Sequence, residues 1–452
     1  MSLQSTLVET TTTLLWSCFL LLDLCLYLPY QLLRFIARPR VTKELSLKTV
    51  VIAGASFAGL AAWRELRHFN QRHGTHFRIL LLDQKDYFEY VPGVLRLFCQ
   101  PHLFRKLAKT LSFHEGFVQG RVMTLSSSHV TYMTSPSVRK TIPFDYLILA
   151  TGSSYSYPIT ASPISGTTLP ARAAGWQQAA ERVRLASSIL ILGGGAVGTE
   201  LAAEIVDHFP NSKSVTLVEG TSTLLSLFPR STSSYAERWL RHRGVQLMLG
   251  RKLQSWDDTS CCLEDGTVLR ADCVFVCFGG TPNSIMMIKS QNGIDSRAKS
   301  DAVAKKSQCV PVDAYLRAST SNVFCCGDVA SPPTEGLKQA FHAEAMGHLA
   351  AENVIRLCTG QFPLHRYPED LTGGVNKMPF VTVLSLGRYD GVIGFNSLTI
   401  PGPLSAVLKW IIEWTKIEQM QGKPLGNLIW LVGDTVAYFI SGNLLRPLSR
   451  TD

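Results

Sequence analysis

The chain holds 452 residues, of which 46% are apolar and only 17% charged, with a formal net charge of +10. Soluble domains carry about 25% charged residues, so part of this surface is expected to face something other than water. The basic residues are scattered, never more than two in a row, which argues against nucleic acid as a partner.

This length predicts several domains. The eleven cysteines form no framework spacing and no C-x-x-C pair. They read as small apolar residues of a reducing compartment, and no metal site is expected.

In chain order, the first feature is the stretch from Leu14 to Leu33, where sixteen of twenty residues are apolar. That approaches the length of a bilayer span, although Asp23 and Pro29 interrupt it. A buried N-terminal helix is the alternative. The first basic residue is Arg34, followed by Arg38, Arg40, Lys43 and Lys48. This flank predicts a body on the cytosolic side of a membrane.

Next, Lys48 to Ala53 reads as a short β-branched strand. It runs into Gly54-Ala55-Ser56-Phe57-Ala58-Gly59 and a helical stretch, the context of a dinucleotide fingerprint. Ser56 replaces the middle glycine. A second apolar run ends in Asp83, placed to accept from a ribose hydroxyl. Asp145 to Gly152 reads as a buried strand closing on a small turn at Thr151 and Gly152.

The fingerprint then recurs with all three glycines, Gly193, Gly195 and Gly198, and Val215 to Val218 ends in Glu219. A carboxylate there bonds a ribose diol and repels a 2′-phosphate, although Thr221 and Ser222 soften that preference for NADH over NADPH. Asp272 to Phe278 with Gly279 to Asn283 repeats the closing strand. Finally, a strand within Asn322 to Ala330 delivers Asp328 toward a flavin ribityl hydroxyl. Two such sites predict FAD and a nicotinamide nucleotide held face to face.

Near the C-terminus, Ser405, Lys409 and Glu413 form one stripe of a helix otherwise filled by apolar residues, including Trp410 and Trp414. A further apolar block runs from Leu428 to Ile440. Tryptophan beside lysine suits a membrane interface. Packing on the protein's own core or on a second copy, as a homodimer, is the alternative.

The stretches VVIAGASFAGLAA, LLLDQKDYFEYVPGVLRL, FDYLILATGSSY, ILILGGGAVGTELAAEI, NVFCCGDVA and VLSLGRYDGV together resemble a flavoprotein family. It includes type II NADH dehydrogenases and apoptosis-inducing-factor-like proteins, and within it the ferroptosis suppressor protein branch. The resemblance implies an α/β fold with two Rossmann-like domains, a C-terminal α+β region and membrane-associated termini. The expected division is a membrane segment (1–46), a first FAD-binding stretch (47–170), an NAD(P)H-binding domain (171–295), a second FAD-binding stretch (296–360) and a membrane-docking C-terminal region (361–452).

Carried over by position, Gly54 to Gly59, Arg96, Val122 and Asp328 become FAD contacts, with Arg96 on the pyrophosphate. Gly193 to Gly198, Glu200 and Glu219 become the nicotinamide-nucleotide site. Lys338 matches a functional lysine near a helix beginning around Glu335 to Lys338, and Phe341 is a candidate lining for a quinone channel.

The implied activity is hydride transfer from NAD(P)H to FAD, then electron transfer to ubiquinone or a vitamin K-type quinone, with a role against lipid peroxidation. The expected location is the endoplasmic reticulum or a lipid droplet, then the mitochondrial inner membrane. Rival readings are an NAD(P)H-binding signalling protein and a reductase of a protein carrier. Residues 60–120 hold only Cys99, so no internal disulfide relay is expected.

Overall fold

The computed structural model describes residues 46–430, apart from 136–137, 163, 285–308, 319, 334–337, 363, 368–380, 396–397 and 427. The apolar stretch Leu14–Leu33, its basic flank as far as Lys43, and all but the first three residues of Leu428–Ile440 lie outside the described residues.

Strand β1 (Lys48–Ala53) leads through the glycine turn into α1 (Phe57–His73), then β2 (Phe77–Asp83), β3 (Phe117–Gln119) and β4 (Tyr146–Leu149). Helix α2 (Leu169–Leu185) precedes a second run: β5 (Ser188–Leu192), α3 (Ala196–His208), β6 (Ser214–Glu219), α4 (Arg230–His242), β7 (Gln246–Leu249) and β8 (Cys273–Val276). The chain then returns through β9 (Val323–Cys325) to α5 (Ala340–Thr359). It ends in β10 (Val381–Ser385), β11 (Gly391–Phe395), β12 (Leu398–Pro401) and α6 (Pro403–Met420).

Two parallel sheets result. The first has the order β9-β4-β1-β2-β3 and the second β7-β6-β5-β8. Val50, Val51 and Ile52 of β1 are fully buried, as are Ile191 and Leu192 of β5. This is the near-continuous apolar run that a parallel sheet covered on both faces requires. Strand β9 joins the first sheet from beyond the second, so the first is built from two separated stretches of chain. A three-stranded antiparallel sheet, β10-β11-β12, carries α6.

The sequence places a helix start at Glu335 to Lys338. Glu335 to Leu337 lie outside the described residues; the described helix starts at Ala340 with Gln339 as its cap, so Lys338 precedes it. Among the described residues no helix is long and apolar enough to cross a membrane.

Candidate functional site

Each glycine turn lies at the carboxyl edge of its sheet, where open α/β folds bind ligands. A Cβ on Gly59 would collide with the Gly54 carbonyl oxygen, and one on Gly198 with that of Gly193. Both turns therefore close only with glycine at their ends. The middle position differs. A Cβ on Gly195 meets nothing within 4 Å, which explains why Ser56 is tolerated at the equivalent place. The open side of each turn is where a phosphate fits against helix N–H groups.

The acids close each cradle in the same way. Asp83 Oδ2 accepts from the Ala55 amide at 2.7 Å, and Glu219 Oε2 from the Gly194 amide at 2.6 Å. Each donor is the second residue of its turn. Glu219 Oε1 also accepts from the Thr221 amide and hydroxyl, at 2.8 and 3.0 Å. Val122 lies three residues past the point where Gln119 pairs with Asp83.

The closing strands meet each other. Gly152 and Ser153 follow β4, and Thr281 to Asn283 follow β8. Ser153 pairs with Pro282, and Thr151 exchanges hydrogen bonds with Asn283 at 2.8 and 2.9 Å. The edges of the two cradles are thereby tied together. Asp328, three residues past β9, accepts from the Ser153 hydroxyl at 2.8 Å, and Gly327 packs on Ala58 of α1. Gly54, Asp83, Thr151, Gly152, Ser153 and Asp328 thus share one sheet edge. The two cradles fit a dinucleotide: each has glycine at both ends, an acid at its rim and, at its middle position, only the small Ser56 or Gly195.

Lys338 donates to the Asp328 and Ala330 carbonyls at 2.6 and 2.8 Å, with Cys309 Sγ at 3.3 Å. Half-buried Phe341 and buried His342 sit in the first turn of α5.

Two expected contacts have unexpected partners. Arg96 reaches Glu413 at 3.4 Å and Glu204 at 3.8 Å. Glu200 is buried, and its Oε1 accepts from Lys409 Nζ at 2.6 Å and from the Ser385 amide and hydroxyl at 2.8 and 2.9 Å. Glu413, Lys409 and Ser385 come from the C-terminal region, and Glu204 from α3.

Helix α6 supplies Lys409 and Glu413. Its polar stripe, which the sequence identifies, faces inward: Ser405 is 1%, Lys409 5% and Glu413 1% exposed, and Lys416 extends the stripe. Lys416 pairs with Glu344 of α5 at 2.7 Å, and Arg64 of α1 takes the other oxygen at 2.6 Å. Burial opposes the charge on Glu344, but Lys416 and Arg64 outweigh it and hold the carboxyl below its usual range. Glu204 goes the other way: burial pushes its carboxyl up despite Arg96 and Lys409. The sequence reading missed Ser385, Lys416 and the pairings themselves. The available signal was the succession of cation and anion along one helical stripe.

The stretch Leu386 to Gly391 clasps the second sheet's helices. Asp390 accepts from Tyr235 at 3.0 Å and from the Trp239 indole at 3.0 Å, both on α4.

Nine cysteines fall among the described residues, all unpaired. Cys99 is buried, and burial pushes its thiol up, while Cys326 is pushed up to about 12. Thiols held protonated are poor nucleophiles. Cys99→Ala is therefore expected to leave electron transfer from NADH to an acceptor within about twofold of the parent, the scale of a minor packing change. A steady-state assay checks this, and a loss of two orders of magnitude would reinstate a thiol relay.

The sequence profile of the pyridine nucleotide-disulphide oxidoreductase family matches residues 48–347. The chain is 28% identical over 367 residues to Ferroptosis suppressor protein 1 of Mus musculus, covering 78% of this chain and 90% of the relative. Among solved structures it is similar to NDH2 from Plasmodium falciparum in complex with NADH, with a TM-score of 0.66, 12% identity, and coverage of 88% of this chain and 99% of that one. The sulfide:quinone oxidoreductase of Aquifex aeolicus superposes with a TM-score of 0.67 at 15% identity, covering 89% of this chain and 100% of that one.

Proposed function

This chain belongs to the pyridine nucleotide-disulphide oxidoreductase family and is an FAD-dependent NAD(P)H oxidoreductase; from that premise we propose that its electron acceptor is a lipophilic quinone met at a membrane surface. The overall reaction is NAD(P)H plus a proton plus quinone to NAD(P)⁺ plus quinol. The observation that carries the reading is the pinning of the two cradle edges at Thr151 and Asn283, combined with the burial of Cys99, the one thiol of residues 60–120. Without a sulfur relay, the two cofactors must meet directly.

When bound, FAD accepts the hydride of the reduced nicotinamide and hands electrons to the quinone. Gly54 to Gly59, Asp83, Val122, Thr151, Gly152 and Asp328 would hold it in the first cradle. Gly193, Gly195, Gly198 and Glu219 would hold the nicotinamide nucleotide. The bonds from Thr221 brace Glu219 against a 2′-phosphate, which supports NADH as the preferred donor. Glu200 and its partner Lys409 would set the nicotinamide ring, and Lys338 would stand at the flavin ring as proton source for the quinol. Arg96, held between Glu413 and Glu204, would fix the α3–α6 boundary beside the first cradle. The proposed division is residues 47–170 and 296–360 around the flavin and 171–295 around the nicotinamide nucleotide.

A membrane location accounts for the apolar stretch Leu14–Leu33 and for the exposed apolar side of α6. Anaerobic stopped-flow addition of NADH is expected to bleach the flavin, and a short-chain ubiquinone to restore it. Bleaching without reoxidation by quinones, alongside turnover of an iron–sulfur protein, would replace the acceptor.

A further inference from the structure

Strand order says where each half of a bound dinucleotide goes. In the second sheet, β7-β6-β5-β8, the glycine turn follows β5 and Glu219 ends β6. A nucleotide with its pyrophosphate on that turn and its adenosine ribose on Glu219 sends its other half the opposite way, across the end of β8. In the first sheet, β9-β4-β1-β2-β3, Asp83 on β2 takes the adenosine side, and the other half crosses the ends of β4 and β9. The two reacting halves are thus sent to the ends of β4, β9 and β8. Those are the ends that Ser153–Pro282 and Thr151–Asn283 tie together.

Tyr155, three residues past Gly152, stands in that seam. Its backbone is fixed: its amide donates to the Thr160 hydroxyl at 2.8 Å, and the Ser154 hydroxyl beside it donates to Asn283 at 3.0 Å. Its ring lies on Gly280, just past β8. A Cβ on Gly280 would stand 3.3 Å from the phenol Cζ and 3.5 Å from its oxygen, so a residue without a side chain leaves the ring its place. Around the phenol are Asp328 of the first cradle and Cys277, which flanks the turn from Gly193 to Gly198. Burial, then Asp328 and Cys277, push the phenol above its usual range, so it keeps its proton. Tyr155 is only half-buried, and among the described residues its hydroxyl has no hydrogen-bond partner.

We propose that Tyr155 recognises the nicotinamide, its hydroxyl donating to the carboxamide oxygen of the ring that crosses the end of β8. The inference rests on the hydride-transfer reading above and deepens it by naming a residue that reads the reacting half of the donor. A nicotinamide ring turns freely about its bond to ribose. One donor on a fixed backbone, its ring braced by Gly280, selects a single setting of that ring. Such a setting is what brings the reacting carbon to the flavin repeatedly, and small misplacements there are costly.

The test uses the full-length holoenzyme as parent, Tyr155→Phe and Tyr155→Leu, each checked for bound FAD. Each is titrated calorimetrically with NAD⁺ and with ADP-ribose, which lacks the nicotinamide. In Tyr155→Phe, affinity for NAD⁺ is expected to fall about fivefold, the scale of one hydrogen bond, while affinity for ADP-ribose stays within about twofold of the parent, the scale of a minor packing change. Tyr155→Leu also gives up the ring and falls further for NAD⁺, again sparing ADP-ribose. Anaerobic flavin bleaching at saturating NADH slows about tenfold in Tyr155→Phe, since the bound ring is no longer held in one setting.

Equal losses for NAD⁺ and ADP-ribose assign Tyr155 a structural role and overturn the inference, as do unchanged affinities for both. A Tyr155→Phe protein that sheds FAD but binds NAD⁺ like the parent assigns the hydroxyl to the flavin side and also overturns it. These results leave the hydride-transfer reading intact so long as NADH bleaches the parent. A parent that binds neither NAD⁺ nor ADP-ribose defeats that reading, and the inference falls with it.

Discussion

Gly59→Ala is expected to yield a protein that no longer retains FAD. The added Cβ would collide with the Gly54 carbonyl oxygen, so α1 must move off β1. Overpacking a core costs about 1–3 kcal/mol. Here the obstacle is backbone, which cannot rotate away, so the cost lies at the top of that range. Each 1.4 kcal/mol is about tenfold in affinity, and the strain falls on the turn that would receive the pyrophosphate. Flavin affinity should drop by about a hundredfold. Gly198→Ala is the matched control, because its Cβ meets Gly193 in the same way. That variant should purify yellow and bind FAD normally, yet bleach with NADH only at concentrations about a hundredfold higher. Absorbance at 450 nm and an NADH titration check the pair. Loss of FAD in both variants, or in neither, would undo the assignment of one cradle to each cofactor.

The second large effect concerns Glu200. Removing one member of a buried ion pair leaves the other charge uncompensated, at about 3–5 kcal/mol. Glu200→Gln and Lys409→Met should each lower stability by that amount, read as a shift of the urea midpoint. The double variant removes both charges and should recover most of the loss. Hydride transfer behaves differently if Glu200 sets the nicotinamide ring. Flavin bleaching at saturating NADH should fall about a hundredfold, the scale of a small misplacement of reacting atoms, in Glu200→Gln. It should stay low in the double variant. A double variant that recovers rate along with stability would make the pair structural only.

These two cases also mark what the sequence reveals. The cradles were legible because their chemistry is local: a glycine at each end of a six-residue turn, and an acid at the end of the next strand. The bonds Ala55–Asp83 and Gly194–Glu219 agree with that pattern at both sites. The return of β9 to the first sheet was legible as far as NVFCCGDVA marks a strand followed by Asp328.

The facing of α6 was not legible. Periodicity states that the helix has two faces, not which one turns inward. That depends on Glu200, Arg96 and Glu344, which lie far from α6 in the chain. The same holds for the pairing of Arg96 with Glu413 and Glu204, which no local pattern around Arg96 announces.

Ser385 and Lys409, which complete the surroundings of Glu200, lie 185 and 209 positions further along the chain. Asp390 reaches α4 from a similar remove. The stretch 171–295 is therefore no self-sufficient cassette. Excised, or grafted between relatives without its own tail, it would present a bare acid where the parent has a finished socket. A graft that is to keep the surroundings of Glu200 must carry Ser385 and Lys409 with it.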